Sequence, residues 1–205
     1  MKPYFQEGDI QVWLGDCRDI LPHVGRFDLC LTDPPYGLEG HNMRAAVGYM
    51  DVSWDESVAP MEAINGAIGA ATEAIIWGGN YYPLPPARCW LLWDKEFAEG
   101  LTFADFEMAW TSLDSVARLY RKRSLNVDGG KVHPTQKPLA LMLWCISKAK
   151  NPQSVIDPFL GSGTTLAACK KLGIRGVGIE REEKYCEIAV RRILNTTPSL
   201  FSEER

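Results

Sequence analysis

The chain has 205 residues, of which 46% are hydrophobic and 23% are charged, and this ordinary globular composition excludes a disordered chain and a coiled coil. The net charge of −4 gives no overall attraction to a polyanion, so contact with nucleic acid would need a local group of basic residues. No apolar stretch approaches the roughly 18 residues that span a bilayer, and the N-terminus is not of the signal-peptide type. We therefore expect a single cytoplasmic domain over residues 1–205, without a membrane partner.

Short apolar runs alternate with segments of helix-like composition along the chain. Seven runs predict β-strands, at residues 10–16, 27–33, 74–79, 89–95, 106–112, 154–159 and 175–180. Four segments predict helices, at residues 57–73, 138–150, 163–172 and 182–195. This order predicts an α/β fold with a doubly wound, mostly parallel seven-stranded sheet. The runs 89–95 and 106–112 have no helix-length connection, so we expect them to form an antiparallel hairpin.

Two long segments interrupt this alternation, at residues 37–56 and 113–132. Each follows a predicted strand whose end should line a cleft. Because loops of this length inside a compact domain are usually functional, both segments are candidates for contact with a substrate.

The first strong motif is LTDPPYG, residues 31–37. The apolar run before it predicts a buried strand, which would deliver Asp33 at its carboxyl end. Open α/β sheets bind their ligands at that edge. Taken alone, the motif is also compatible with a proline-rich turn.

The second motif is VIDPFLGSGTT, residues 155–165, in which a strand ending at Asp157 leads through Gly161 and Gly163 into a helix. Glycines let the backbone approach a ligand closely, and the first N–H groups of a helix favour an anionic group. Glu180 closes the next strand, where it could accept hydrogen bonds from ribose hydroxyls. The turn is not a dinucleotide fingerprint, because Leu166 stands where the third glycine would be.

Together the two motifs resemble the S-adenosylmethionine-dependent amino-methyltransferases of DNA. HPTQKP at 133–138 and GDC at 15–17 are two further elements of that family. The order of the motifs, with DPPY first, is similar to the circularly permuted β group. The resemblance spans nearly the whole chain and implies a Rossmann-like methyltransferase fold, S-adenosylmethionine as cofactor, and methylation of an exocyclic amine on a base rotated out of the duplex.

The resemblance also implies catalytic roles for the DPPY residues. An adenine amine is a poor nucleophile until hydrogen-bond acceptors hold it in a more tetrahedral geometry. Asp33 would accept one N6–H and the Pro34 carbonyl the other, while Pro34 and Pro35 restrict the backbone. Tyr36 would stack on the flipped base.

For the cofactor, the resemblance implies three groups of residues. Those at the methionine end are Asp157, Phe159, Gly161, Gly163 and Thr164, with Thr135, Gln136 and Lys137 closing over them. Glu180 would bind the ribose, and Asp16, next to Cys17, would lie near the adenine. Asp16 is also placed to cap the helix that follows it, and the two roles are compatible.

Contact with DNA is predicted from a local excess of basic side chains. They are His41 and Arg44 in the first long segment, and Arg118, Arg121, Lys122, Arg123 and Lys131 in the second. An ordinary solvated loop is the alternative. With only about 20 residues available for target recognition at 113–132, we expect a short or degenerate target sequence, or a homodimer that supplies further contacts.

Several functions stay open at this point. Aspartate at position 33 favours adenine N6, because cytosine-N4 members of the family more often carry serine there, but cytosine-N4 methylation, RNA methylation and a catalytically silent DNA-binding module are alternatives. A nicotinamide-dependent oxidoreductase is a further one. The six cysteines lack a CxxC pair and the three histidines lack suitable partners, so no metal site is expected.

Overall fold

The computed structural model describes residues 1–37, 58–96, 104–122 and 137–199. Within these ranges the strands are β1 (Phe5–Glu7), β2 (Ile10–Leu14), β3 (Phe27–Thr32), β4 (Ala71–Trp77), β5 (Trp90–Asp94), β6 (Phe106–Thr111), β7 (Arg118–Arg121), β8 (Ser154–Asp157) and β9 (Arg175–Glu180). The helices are α1 (Cys17–Val24), α2 (Met61–Gly69), α3 (Leu139–Ile146), α4 (Thr164–Leu172) and α5 (Glu183–Leu194).

All of these strands belong to one sheet with the order β1-β2-β9-β8-β3-β4-β6-β5-β7. Its pairings are parallel except where β1 meets β2 and where β6 meets β4 and β5. The predicted antiparallel hairpin is confirmed, since Trp90 lies opposite Trp110 and Asp94 opposite Phe106. The α/β class with a mostly parallel sheet is confirmed as well.

The predicted strand number of seven is wrong, because the described residues form nine strands. The two additional strands lie at opposite edges of the sheet. Strand β1 has only three residues, and β7 is largely exposed and rich in arginine, so neither contains the apolar run that marks a buried strand. Residues 118–121, expected to belong to a long loop, therefore extend the sheet by pairing with β5.

Helices cover both faces of the sheet, as the alternation of side chains requires. On β3, Leu29 and Leu31 pack into the core under α3, α4 and α5, while Cys30 faces the core under α1 and α2. Each of these three side chains is fully buried. Burial on both faces explains why residues 29–31 are consecutive apolar residues rather than an alternating pattern.

Strands β3 and β8 are neighbours in the middle of the sheet, and the connections that follow them lead in opposite directions. From β3 the chain passes through α2 to β4 on one side, and from β8 it passes through α4 to β9 on the other. Connections that diverge in this way leave a crevice at the carboxyl ends of the two strands, which is the usual ligand position in open α/β sheets. No described helix is long and apolar enough to span a bilayer.

Candidate active site

The two sequence motifs meet at this crevice. Thr32, the last residue of β3, donates a hydrogen bond of 2.6 Å from its Oγ1 to Oδ1 of Asp157, the last residue of β8. Beside this bond lies a cavity of about 210 Å³. Its walls include the predicted site residues Asp16, Cys17, Asp33, Pro35, Lys137, Asp157, Phe159, Gly161, Thr164 and Glu180.

Asp157 is a buried carboxylate held by neutral donors. Only 3% of the residue is exposed, and burial raises its pKa to about 6, although hydrogen bonds from Thr32, Thr165 and the Phe159 backbone N–H oppose the shift. A carboxylate in this setting is a strong site for a cation, because a positive partner would offset the cost of its desolvation.

The glycine turn follows directly and has little steric freedom. Gly163 has φ 80°, and a Cβ at this position would lie 2.7 Å from the Cβ of Ala189 in α5. Both the left-handed conformation and the close helix therefore require glycine. The Gly161 N–H donates to Oε2 of Glu180 at 2.8 Å, so the turn is tied to the end of β9.

Glu180 is held at both of its carboxylate oxygens, since Oε1 accepts the Glu182 backbone N–H at 2.9 Å. Burial raises the pKa of Glu180, and these backbone donors oppose the shift. Fixed in this way at the end of β9, the carboxylate lines the cavity and retains lone pairs for further hydrogen bonds.

Asp16 caps α1, as expected, by accepting the Arg18 backbone N–H at 2.9 Å. Its two oxygens also accept from the Arg18 guanidinium at 3.0 and 2.6 Å. The side-chain hydrogen bond from Arg18 is the main reason that the pKa of Asp16 is lowered to about 2. Sequence reasoning missed Arg18, although its position two residues after a cap aspartate was a usable signal.

In the DPPY motif, Asp33 is engaged at both carboxylate oxygens. The Tyr36 hydroxyl donates to Oδ1, and the Lys137 ammonium donates to Oδ2 at 2.5 Å. The Pro35 carbonyl accepts a hydrogen bond of 2.5 Å from the Tyr82 hydroxyl. Among the described residues the Pro34 carbonyl has no hydrogen-bond partner, whereas the Pro35 carbonyl also accepts the Ala59 N–H.

Lys137 lies at the centre of a group of charged side chains. Its ammonium contacts Asp33, Oε2 of Glu107 at 3.0 Å and the Tyr36 hydroxyl at 3.2 Å. It also lies 5.5 Å from the ring centroid of Trp77. The side chain is only 5% exposed. In this structure the ammonium therefore binds Asp33 and Glu107, rather than being held ready for a cofactor carboxylate.

Burial and charge pairing act against each other on the pKa values of this group. Burial raises the pKa of Asp33 and is only partly opposed by Lys137. Burial would also raise the pKa of Glu107, but Lys137 and Lys95 outweigh it and lower the pKa to about 2. Lys137 is desolvated, yet Asp33 and Glu107 raise its pKa and keep it protonated. Glu107 and Lys95 escaped sequence reasoning, since neither belongs to a motif.

Tyr36 already has an aromatic neighbour. Its ring stacks on Tyr81 with centroids 5.2 Å apart and planes inclined by 20°. Gly78 packs so closely against the same ring that a Cβ at this position would clash with it. One part of the predicted base-stacking surface is thus occupied by Tyr81, which follows β4 and is itself exposed.

The predicted DNA-contacting residues divide into two groups. Arg118 and Arg121 are exposed on the edge strand β7, with Arg121 paired to Asp94 at 3.2 Å, and Lys122 follows them. The others, together with two cofactor candidates, lie outside the described residues: His41, Arg44, Arg123, Lys131, Thr135 and Gln136. In the described ranges no three His, Cys, Asp or Glu side chains are grouped to hold a metal ion.

The chain belongs to the DNA methylase family (N6_N4_Mtase), whose model matches residues 76–191, more than half of its length. It is similar to the Type II methyltransferase M.HinfI of Haemophilus influenzae, with 41% identity over 80 residues. That alignment covers 38% of this chain and spans 22% of the relative's length. The Type II methyltransferase M2.MboI of Moraxella bovis is 24% identical over 260 aligned positions, covering 99% of this chain and 95% of the relative.

Two solved structures show the same fold. The M1.HpyAVI–SAM complex has a TM-score of 0.64 at 24% identity, with 91% of this chain and 99% of that chain covered. The PvuII DNA methyltransferase, described as cytosine-N4-specific, has a TM-score of 0.63 at 17% identity, with 98% of both chains covered. The predicted Rossmann-like methyltransferase fold is therefore confirmed. S-adenosylmethionine, the predicted cofactor, is confirmed for this chain as a DNA methyltransferase of this family.

Proposed function

We propose that this chain methylates the N6 amine of adenine in DNA, on a base rotated out of the duplex. The observation that carries the proposal is the hydrogen bond between Thr32 and Asp157, which fixes the DPPY motif beside the cavity of the glycine turn. A carboxylate for an amine and a pocket for a methyl donor thus share one crevice.

The cavity residues fit S-adenosylmethionine. The cofactor's ammonium suits Asp157, because this buried carboxylate is held only by neutral donors. Glu180 would bind its ribose hydroxyls, and Asp16 with Cys17 would bind its adenine. Phe159, Gly161, Gly163 and Thr164 would hold the methionine end, and the resemblance adds Thr135, Gln136 and Lys137 to that group. When bound, the cofactor supplies an electrophilic methyl group.

The DPPY residues then act on the target amine. Asp33 accepts one amine hydrogen and the Pro34 carbonyl accepts the other, which turns the nitrogen lone pair out of the ring system. Both acceptors are fixed before the substrate arrives, Asp33 by Lys137 and the adjacent backbone by the bond from Tyr82 to the Pro35 carbonyl. Acceptors that need no reorganisation contribute most to a transition state.

The proposed enzyme is a single domain over residues 1–205, in which 113–132 is a short recognition segment. Arg118, Arg121 and Lys122 contact the DNA backbone together with His41, Arg44, Arg123 and Lys131. A surface this small favours a short or relaxed target, or a homodimer, over a long unique site. The motif order, with DPPY before the glycine turn, supports membership of the permuted β group.

The test is nucleoside mass spectrometry of duplex DNA incubated with S-adenosylmethionine and the protein. We expect N6-methyladenine, with the rate lowered by about 100- to 1,000-fold in Asp33→Ala, as for loss of an oriented transition-state contact. Asp9→Ala is the matched control, since Asp9 is an exposed aspartate in the turn between β1 and β2 and does not line the cavity. If the product is N4-methylcytosine, the proposal that adenine is the target base is wrong. If RNA is methylated faster than DNA, the proposal that DNA is the substrate is wrong. An undiminished rate in Asp33→Ala would overturn the mechanism.

A further inference from the structure

Glu107 does not line the cavity but contacts Lys137, which does. It is on β6, opposite Trp93 of β5. Its two oxygens hold two different lysines, with Oε1 2.6 Å from Lys95 and Oε2 3.0 Å from Lys137. The carboxylate thus links Lys95 to Lys137 in a chain of four alternating charges that ends at Asp33.

The Lys137 ammonium contacts three polar groups. It donates hydrogen bonds to Oδ2 of Asp33 and to the Tyr36 hydroxyl, and it forms an ion pair with Oε2 of Glu107 at 3.0 Å. The rings of Tyr36 and Trp77 lie beside it at 5.8 and 5.5 Å. Because the side chain is almost fully buried, it has no solvent to replace a lost acceptor.

Sharing the ammonium between two carboxylates has a consequence for Asp33. An exclusive ion pair would make Asp33 a weaker acceptor for an amine, because the full positive charge would rest on its oxygen. Glu107 withdraws part of that charge and keeps the ammonium at one fixed position. The four charges of Lys95, Glu107, Lys137 and Asp33 sum to zero, so the arrangement does not build up net charge in a buried place.

We propose that Glu107 is a positioning residue for methyl transfer: it holds the Lys137 ammonium in place and shares it with Asp33, so that Asp33 stays an oriented, strong acceptor for the target amine. This inference rests on the proposed function. It assigns a role in the reaction to a side chain outside the DPPY, glycine-turn and HPTQKP motifs.

The decisive variant is Glu107→Gln, which keeps the shape and one acceptor but removes the charge. We expect the single-turnover rate of methyl transfer to fall by about 10- to 100-fold, as for a small misplacement of a reacting group, with S-adenosylmethionine affinity unchanged. The matched control is Lys95→Met, which breaks the outer pair and leaves the contact between Glu107 and Lys137. Its rate should stay within about five-fold of the parent, the range of a partly solvated ion pair.

A pH profile separates positioning from general structural support. The charged or titratable groups that face Asp33 are Lys137, Glu107, Tyr36 and Asp157, with Lys95 behind Glu107. Glu107 is among the charges that raise the pKa of Asp33. Replacing Glu107 by glutamine should therefore lower the pKa of Asp33, so that the loss of activity on the acid side of the pH–rate profile occurs at lower pH. If Glu107 only supports the fold, the rate should fall without a shift in that part of the profile.

If Glu107→Gln unfolds because Lys95 and Lys137 are left in excess, Lys95→Met with Glu107→Gln restores neutrality. The double variant should fold and show the rate loss and shifted acid limb of the Glu107 change. An active parent with Glu107→Gln unchanged in rate and profile overturns this inference alone. A parent that methylates no nucleic acid overturns the proposed function and this inference with it.

Discussion

Thr32 and Asp157 lie 125 positions apart in the chain, yet the threonine hydroxyl is 2.6 Å from the aspartate oxygen. The bond joins the carboxyl ends of β3 and β8 and contributes one of the donors that limit the rise in the pKa of Asp157. Replacing Thr32 by valine keeps the shape and removes the donor. The pKa of Asp157, now about 6, should rise further.

The expected result is a shift in the pH dependence of cofactor binding, because the proposed contact with the cofactor's ammonium requires Asp157 in its charged form. Affinity in the parent should weaken as pH falls through about 6, and in Thr32→Val this weakening should begin at higher pH. Calorimetric titration between pH 5 and 8 measures it. Identical binding curves for the two proteins would contradict the assignment of Asp157.

The same pKa also predicts how stability depends on pH in the absence of cofactor. The pKa of Asp157 in the folded protein lies above its ordinary value of 3.8. Protonated Asp157 therefore contributes fully to stability below pH 3.8, and this contribution is lost as pH rises through about 6. The difference between a pKa of 3.8 and one of about 6 corresponds to a contribution of about 3 kcal/mol to the free energy of unfolding. Denaturant unfolding should show that Thr32→Val is more destabilising at pH 8 than at pH 5, whereas an equal loss at both would contradict this.

Tyr36 combines a hydroxyl bound to Asp33 with a ring proposed to stack on the target base. Tyr36→Phe keeps the ring but removes the hydroxyl's hydrogen bonds with the Asp33 carboxylate and the Lys137 ammonium, and it should lower methyl transfer by about 10- to 100-fold. Tyr36→Ala should also weaken binding of the flipped base by about 1–3 kcal/mol. DNA carrying 2-aminopurine at the target reports this step by fluorescence. Equal losses in the two variants would mean that the hydroxyl, not the ring, is the functional group.

The glycine turn offers a matched pair of substitutions. A Cβ at Gly163 would lie 2.7 Å from Ala189, whereas at Gly161, also with positive φ, no atom lies within 4 Å. Gly161→Ala should therefore cost about 1–2 kcal/mol for its backbone conformation alone, and Gly163→Ala about 1–3 kcal/mol more for the clash. Thermal unfolding without cofactor measures both. Equal losses would show that the turn moves away from α5 at little cost.

Arg118 and Arg121 are the described members of the proposed DNA-contacting group. If both bind phosphates, replacing them by serine should weaken DNA binding on all sequences and reduce the salt slope by about two. Arg191→Ser is the control, since Arg191 is an exposed arginine of α5, which packs on β2 and β9 away from β7. An unchanged salt slope in the double variant would show that β7 does not contact the DNA phosphates.

Much of this architecture is visible in the sequence because the buried strands and the motifs at their ends have local signatures. Asp33 and Asp157 were predictable because both follow apolar runs whose parallel pairing brings their ends together. Strand β7 was not predictable, because this arginine-rich edge strand is largely exposed and so lacks the apolar pattern of a buried strand. The Glu107 contact with Lys137 was not predictable either, because it depends on the position of β6 beside β4, and residues 30 positions apart carry no shared period.

The stack of Tyr36 on Tyr81 bears on the selection of the base. If the target base stacks on Tyr36 as proposed and displaces Tyr81, it would gain only the difference between its own stacking and the tyrosine contact that it replaces. A two-ring purine covers more of the phenol than a one-ring pyrimidine, so this exchange would disfavour cytosine more than adenine. Under the proposed function, Tyr81 would therefore select the base by ring size, before any hydrogen bond to the amine forms.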